Sequence, residues 1–240
     1  MTSAPLSDVT RELLRNISTA TLTSQLMARG LRNTFMRNVS RLTKGGPNMV
    51  GEAFTLRYIP AREDIDVSAV FENFEHPQRK AIETIPPGHV LVIDCRQDNR
   101  AAGAGSILVT RTMIRGAAGV VTDGGLRDSP TIEALDYPVY YGGRAAPTNL
   151  TRHHAVDINV PIGCGDVPVY PGDVLVGDRE GVVVIPRHLA DEVAERGTEQ
   201  TAFEDFVTER VLAGQAIFGL YPPNAESLAA YEAWKKNKTR

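Results

Sequence analysis

Two glycine-bearing stretches of this chain hold the residue types that bind anions and divalent cations. The first is Ala101-Ala102-Gly103-Ala104-Gly105-Ser106-Ile107-Leu108, a small-residue loop running into a helical pattern. A helix that opens from such a loop leaves its first N–H groups unpaired, and its dipole adds partial positive charge, so a carboxylate or phosphate is favoured there. By itself the stretch equally describes a tight turn with close helix packing. The second is Gly124-Gly125-Leu126-Arg127-Asp128. Arg127 can hold a carboxylate by two parallel hydrogen bonds, and Asp128 offers hard oxygen atoms to a divalent cation. Taken alone, the pair also reads as a surface ion pair beside a glycine turn.

The elements around these stretches bring them together. Residues 89–94 form a continuous apolar run, a buried strand, and residues 119–123 form a second. Between them, residues 106–115 read as a helix, capped by Ser106 and stopped by Gly116. Strand, helix and strand make a βαβ unit with parallel strands, whose two following loops open at one sheet edge, where ligands of α/β proteins sit. An anion-binding helix start, an arginine and a metal-type aspartate therefore converge.

The rest of the chain is read more briefly. Two helices are expected at residues 8–16, capped by Ser7, and from Ser18 or Thr19 to Arg29, ending at Gly30. An irregular basic connector carrying Arg37, Arg41 and Lys44 leads to a strand at 50–58, a polar loop at 60–66 and a short helix at 78–83. Beyond the second stretch, 124–130 reads as a loop. Strands follow at 157–162, 167–170, 173–178 and 181–185, the last two as a hairpin. A long helix spans 187–212 and a last one 226–235. There is no internal repeat or low-complexity linker, so residues 1–240 are expected to form one domain, with a core at about 20–195 and a helical C-terminal extension at about 196–240.

Composition limits the partners. The 26 basic and 29 acidic residues leave a net charge of −3, and the one longer basic cluster is Lys235-Lys236-Asn237-Lys238-Thr239-Arg240. Nucleic acid binding, which needs clustered positive charge, is not expected. The start of the chain has no secretory pattern and no apolar run is long enough to span a bilayer, so a cytoplasmic location without membrane attachment is expected. Cys95 and Cys164 lack metal-type spacing and read as small buried residues. His153 and His154, adjacent on a strand, face opposite sides and cannot readily share one metal. Trp234 and the tyrosines near it read as packing or subunit-contact residues.

The run from Gly105 through Gly116-Ala117-Ala118-Gly119-Val120-Val121-Thr122-Asp123-Gly124-Gly125-Leu126-Arg127-Asp128 resembles the signature of the "regulator of ribonuclease activity A" (RraA)-like family. This family includes the class II 4-hydroxy-4-methyl-2-oxoglutarate and 4-carboxy-4-hydroxy-2-oxoadipate aldolases. The stretch from Tyr170-Pro171-Gly172-Asp173 to Val184-Ile185-Pro186 resembles its second characteristic segment. The resemblance covers about residues 20–195; the C-terminus and the stretch 60–79 look like additions of a longer subgroup.

The resemblance implies an α/β fold: a compact β/β/α sandwich of the swivelling phosphohistidine-domain type with helical ends, assembled as a homotrimer or dimer of trimers. It implies Mg²⁺ or Mn²⁺ carried by Asp128, with the carboxylate and keto oxygen of a short 2-oxo acid meeting Arg127 and the backbone of Gly105, Ser106, Ile107 and Leu108. The activity implied is metal-dependent carbon–carbon lysis through a pyruvate enolate, by an aldolase or an oxaloacetate decarboxylase. The alternatives are a dehydratase on a 2-keto-3-deoxy sugar acid, a non-catalytic ribonuclease regulator or protein-binding module, and a ligand-binding relic. The chain departs from the pattern at one position: 21 residues before the arginine, where the aldolases carry an acid, stands Ser106. A serine cannot serve as a carboxylate base. Glu63, Asp64, Asp66 and Asp98 are candidate substitutes.

Overall fold

The computed structural model describes residues 5–238. Residues 1–4, part of the stretch read for a leader, and residues 239 and 240, the end of the basic cluster, lie outside the described residues. The helices are α1 (Asp8–Arg15), α2 (Thr19–Ala28), α3 (Pro77–Thr84), α4 (Ser106–Ile114), α5 (Ser129–Glu133), α6 (Ala190–Leu212) and α7 (Ala225–Lys238). The strands are β1 (Ser40–Arg41), β2 (Met49–Pro60), β3 (His89–Asp94), β4 (Ala102–Ala104), β5 (Gly119–Thr122), β6 (Gly125–Leu126) and β7 (Val139–Tyr141). They continue with β8 (Gly143–Arg144), β9 (His153–Ile158), β10 (Ile162–Cys164), β11 (Val167–Val169), β12 (Val174–Gly177) and β13 (Val182–Ile185).

Eight strands form the main sheet, in the order β1-β7-β5-β3-β2-β12-β13, with β9 also paired to β2. The centre is parallel, β2 to β3, β3 to β5 and β5 to β7, and the flanks are antiparallel. The connector after α2 nearly closes this sheet into a barrel. Met36 N–H donates to Val182 O and Val184 N–H to Thr34 O along the β13 edge, and β1 then pairs with β7 at the other edge. Helices stand at both ends of the chain, so the mixed α/β class with helical termini is as expected.

The strands bury both faces, and the period of two assigns each face to a different core. Leu91 and Ile93 of β3 pack outward with Phe54, Leu56, Ile82 and Val109, beneath α3 and α4. Val90 and Val92 point into the barrel with Val121, Tyr140, Leu175 and Val182. On β13, Val183 and Ile185 turn to a third core formed by Leu14, Leu22, Leu26 and Val193 from α1, α2 and α6. The C-terminal helices add a separate aromatic cluster of Phe206, Leu220, Tyr231 and Trp234, the packing role expected of Trp234.

Several boundaries differ from the sequence expectations. The strand expected at 157–162 is two elements, because Asn159 takes a left-handed conformation (φ 57°) between β9 and β10. The loop expected at 124–130 contains β6 and the start of α5, and the loop preceding α4 contains β4. Ser106 does not cap α4. Gly105 is the cap residue, and Ser106 is the first residue of the helix. Ser7 and Ser18 do cap α1 and α2, accepting from Thr10 N–H and Thr21 N–H. Gly30 and Gly116 follow the ends of α2 and α4 with φ of 84° and 80°, a conformation that glycine reaches without a Cβ penalty.

Candidate active site

A second, small sheet builds the site. β4, β6 and β8 pair in parallel across the carboxyl ends of the main strands, with Ala102 against Gly125 and Gly125 against Gly143. Arg127 N–H donates to Ala104 O at 3.2 Å. The loop that opens α4 and the loop that carries Arg127 and Asp128 are thereby joined through their backbones.

Asp128 is left-handed (φ 55°, ψ 31°), a region that short polar residues tolerate better than most. Its carboxylate does not cap α5, the helix it precedes. It turns instead to the start of α4, where Oδ2 accepts from Ser106 N–H and from Ser106 Oγ, each at 3.2 Å. Arg127 Nε lies 3.7 Å from the same oxygen. Asp128 thus occupies the first N–H of α4, and the Ser106 hydroxyl faces this carboxylate. The N–H groups of Ile107 and Leu108, second and third in the helix, have no intrahelical acceptor by position.

Gly105, Ile107, Leu108, Arg127 and Asp128 line one cavity of about 380 Å³. The sequence reading placed these five residues and Ser106 together; the five share one surface, and Ser106 is not among the residues that line it. The sequence reading did not foresee the rest of the lining, which includes Ser68, Phe71, Gln78 and Arg79 together with Thr148, Asn149 and Leu150. The signal available in the sequence was the inserted character of residues 60–79.

The candidate substitute carboxylates are engaged elsewhere or lie off the cavity. Asp64 is held by Arg62 at 2.6 Å. Asp66 Oδ2 accepts from Arg62 N–H, and its Oδ1 lies 2.7 Å from His154 Nδ1. Asp98 is bound in two-pronged fashion by Arg100, which holds its carboxyl well below the usual carboxylate range. Glu63 does not line the cavity either, and Asp128 is the carboxylate that does, among the described residues. No group of three or more His, Cys, Asp or Glu side chains suited to a metal is present among the described residues. A single carboxylate is nevertheless a donor set that Mg²⁺ or Mn²⁺ accepts, because Mg²⁺ keeps several waters and completes its shell from substrate oxygens. Asp128 fits that role, since its hydrogen bonds fall on Oδ2 alone.

The supports beneath the site are buried and polar. Tyr58 Oη donates to Gly103 O at 2.9 Å, and Gln78 Nε2 donates to both Tyr58 Oη and Gly103 O at 2.9 Å. His153 is fully buried and stacks on Tyr58 with ring centroids 5.4 Å apart, whereas His154 faces outward to Asp66, so the two histidines do point apart. Cys95 and Cys164 are buried free thiols, and burial pushes both thiol pKa values up, away from reactivity.

Asp123, at the end of β5, accepts from the N–H groups of Cys95, Gln97 and Gly165 and so ties three loops together. Burial outweighs these donors and pushes its carboxyl up to about 6. In the unfolded chain an aspartate titrates near ~3.9. The folded state therefore binds this proton more readily, and the stability Asp123 contributes is greatest below the unfolded value and falls as pH rises through about 6. A carbon-detected NMR titration should show the Asp123 carboxyl with a midpoint near 6; a midpoint in the ordinary aspartate range would mean that water reaches it.

The family model described as RraA-like, Aldolase/RraA, matches residues 15–184. A protein of Halalkalibacterium halodurans named "Putative 4-hydroxy-4-methyl-2-oxoglutarate aldolase" is 37% identical over 138 residues, which cover 58% of this chain and 65% of that protein. One of the same name from Ectopseudomonas mendocina is 33% identical over 103 residues, 43% of this chain and 63% of that protein. The match thus spans less than two thirds of either relative. Among solved structures, Streptomyces coelicolor RraAS2, described as an unusual member of the RNase ES inhibitor RraA protein family, superposes with a TM-score of 0.74 at 27% identity, covering 85% of this chain and 98% of that one. An uncharacterized protein from Pseudomonas syringae pv. tomato shares the fold with a TM-score of 0.80 at 24% identity, over 92% and 96% of the two chains.

Proposed function

The chain belongs to the RraA-like (Aldolase/RraA) family, and from that premise we propose that it is a divalent-metal-dependent carbon–carbon lyase acting on a short 2-oxo acid. The observation that supports this most is the meeting of Arg127, Asp128 and the α4 start on one cavity, through backbone pairing of two loops. Arg127 binds and orients the carboxylate of the 2-oxo acid, and the Ile107 and Leu108 N–H groups at the positive end of α4 add to its anion affinity. Asp128 holds Mg²⁺ or Mn²⁺, and the bound ion supplies Lewis acidity toward the substrate's oxygens. Leu108 and Phe71 line the cavity and limit water around the reacting carbons.

Ser106 shapes the choice of reaction. Its hydroxyl faces Asp128 and cannot hold the proton that a retro-aldol cleavage takes from a C4 hydroxyl. Loss of carbon dioxide from oxaloacetate gives the same pyruvate enolate without that proton transfer, so decarboxylation needs no base at position 106. The test is pyruvate release from oxaloacetate, 4-hydroxy-4-methyl-2-oxoglutarate and several 2-keto-3-deoxy sugar acids, with Mg²⁺, with Mn²⁺ and with a chelator. Chelator-sensitive release that falls at least about tenfold in Arg127→Lys, which loses the planar two-pronged fit, is the expected result. No release from any of them, with a measurable effect on RNA degradation, would replace the lyase by the regulator reading that the likeness to RraAS2 supports.

The same reading includes assembly into a trimer or a dimer of trimers. Ile107, which lines the cavity, and Ile114, two turns further along α4, are 80% and 68% exposed, apolar side chains that such an assembly would cover.

A further inference from the structure

A second cavity, of about 340 Å³, includes residues of the paired edge strands β1 and β7 in its lining and shares no lining residue with the first. Arg41, Lys44, Arg144 and Arg179 line it, with Glu133 as the one carboxylate among the described residues. Four cations thus stand against one anion in a chain whose net charge is −3, so the excess is local. Separate parts of the fold supply them. The connector after α2 brings Arg41, set opposite Tyr140 by the pairing of β1 with β7, and then Lys44. Arg144 comes from β8, and Arg179 from the turn between β12 and β13. The cations are fixed in place. Arg41 Nη2 donates to the carbonyls of Gly45, Gly46 and Pro47 at 2.6, 2.9 and 3.1 Å, and its guanidinium lies 5.9 Å from the centre of the Tyr140 ring. Its Nε is buried and has no hydrogen-bond partner. Arg179 Nη2 donates to Lys44 O at 3.4 Å. Glu133 is shared, with Lys44 Nζ at 2.9 Å from one oxygen and Arg144 Nη2 at 3.2 Å from the other. Charges of one sign gathered in a cleft focus a potential that raises the local concentration of the opposite ion.

We propose that this cavity is a binding site for a diphosphate group, separate from the site of Arg127 and Asp128. A diphosphate packs several negative charges into a few bonds, as four cations facing one carboxylate demand. A monocarboxylate or a single phosphoryl group leaves more of that excess unmatched. Guanidinium groups grip phosphoryl oxygens in a planar fork, and a lysine adds a point charge. Glu133 is the internal competitor. Its partners Lys44 and Arg144 are exposed, and ion pairs of that kind hold weakly enough to yield to a more highly charged ligand. The same chemistry is offered by free diphosphate and by a nucleotide that carries it. The inference stands on this cavity alone and does not depend on the lyase reading.

The experiment is titration calorimetry of the full chain, in metal-free buffer of low ionic strength, with inorganic diphosphate, ADP and AMP. Wild type is expected to bind at least one of the two diphosphates about tenfold tighter than AMP or more, the size of one charge-assisted hydrogen-bonded contact, with an affinity that falls as salt is added. ADP binding the tighter of the two assigns the site to a nucleotide, and inorganic diphosphate binding as tightly or tighter assigns it to the free ion. Arg144→Gln and Arg179→Gln should each weaken that binding about tenfold, and Arg144→Lys should retain part of it. Glu133→Gln should tighten it severalfold by removing the competing carboxylate, a gain that damage to the fold would not produce. Arg196→Gln, which removes an exposed cation of α6, should leave the affinity unchanged. Three results would each overturn the inference: binding of neither diphosphate by wild type, AMP bound as tightly as both, or binding lost in Arg127→Gln and indifferent to Arg144→Gln and Arg179→Gln.

Discussion

Asp128→Asn is expected to abolish divalent-cation binding and turnover while the chain still folds. Asparagine matches aspartate in volume and tolerates the left-handed backbone at this position. Its amide oxygen can accept the hydrogen bonds that Ser106 N–H and Oγ now give to Oδ2, so the junction between the two loops survives. What disappears is negative charge on the cavity's carboxylate. A hard cation held by one carboxylate and its waters loses its anchor when that carboxylate becomes neutral. Lewis-acid assistance is worth several kcal/mol, so kcat/KM should fall on the order of a thousandfold. Mn²⁺ binding, followed by the loss of the free-ion electron paramagnetic resonance signal, should vanish in parallel, and the melting temperature should move by no more than a few degrees, as for about 1 kcal/mol or less. Unchanged Mn²⁺ affinity in a folded Asp128→Asn protein would remove Asp128 from the metal role.

The parts of this site that were legible in the sequence are those carried by long patterns. β3 and β5 announce themselves as continuous apolar runs, and the glycines at 105 and 116 bracket α4 closely. From strand, helix and strand it follows that both loops open on one edge, and so that Gly105, Ile107, Leu108, Arg127 and Asp128 meet. The linking sheet was invisible because β4, β6 and β8 are two or three residues long and mostly alanine and glycine. Such strands carry no side-chain period, and their pairing exists only once three separate loops are folded. The role of Ser106 was misjudged for a related reason. A serine at a helix start suggests a local cap, but its partner is a side chain 22 residues away, brought there by the left-handed turn at Asp128. The place of Arg79 in the lining was equally hidden, since α3 is held there by Gln78 reaching Tyr58 and Gly103 through the core.

Gly105→Ala should cripple the site without unfolding it. The backbone at Gly105 is extended (φ −123°, ψ 179°), which alanine adopts freely, so conformation is not what demands glycine here. Space is. A Cβ at this position would meet Asp128 Oδ2 at 2.9 Å, Arg127 Cγ at 3.0 Å and Arg127 Nε at 3.1 Å. Arg127 is half-exposed and can swing away, and Asp128 can give up its contact with Ser106, so the cost in stability is small and is partly offset by the lower entropy of the unfolded alanine chain. The same movement separates the arginine and the carboxylate from the helix start at which both are aimed. Displacement of this kind, about 1 Å, is enough to cost on the order of a hundredfold in rate. The matched control is Gly163→Ala on β10, where a Cβ meets nothing within 4 Å, and it should keep wild-type kcat/KM. If Gly105→Ala turned over substrate as fast as that control, Arg127 and Asp128 could not be working from the position against α4 in which they are found.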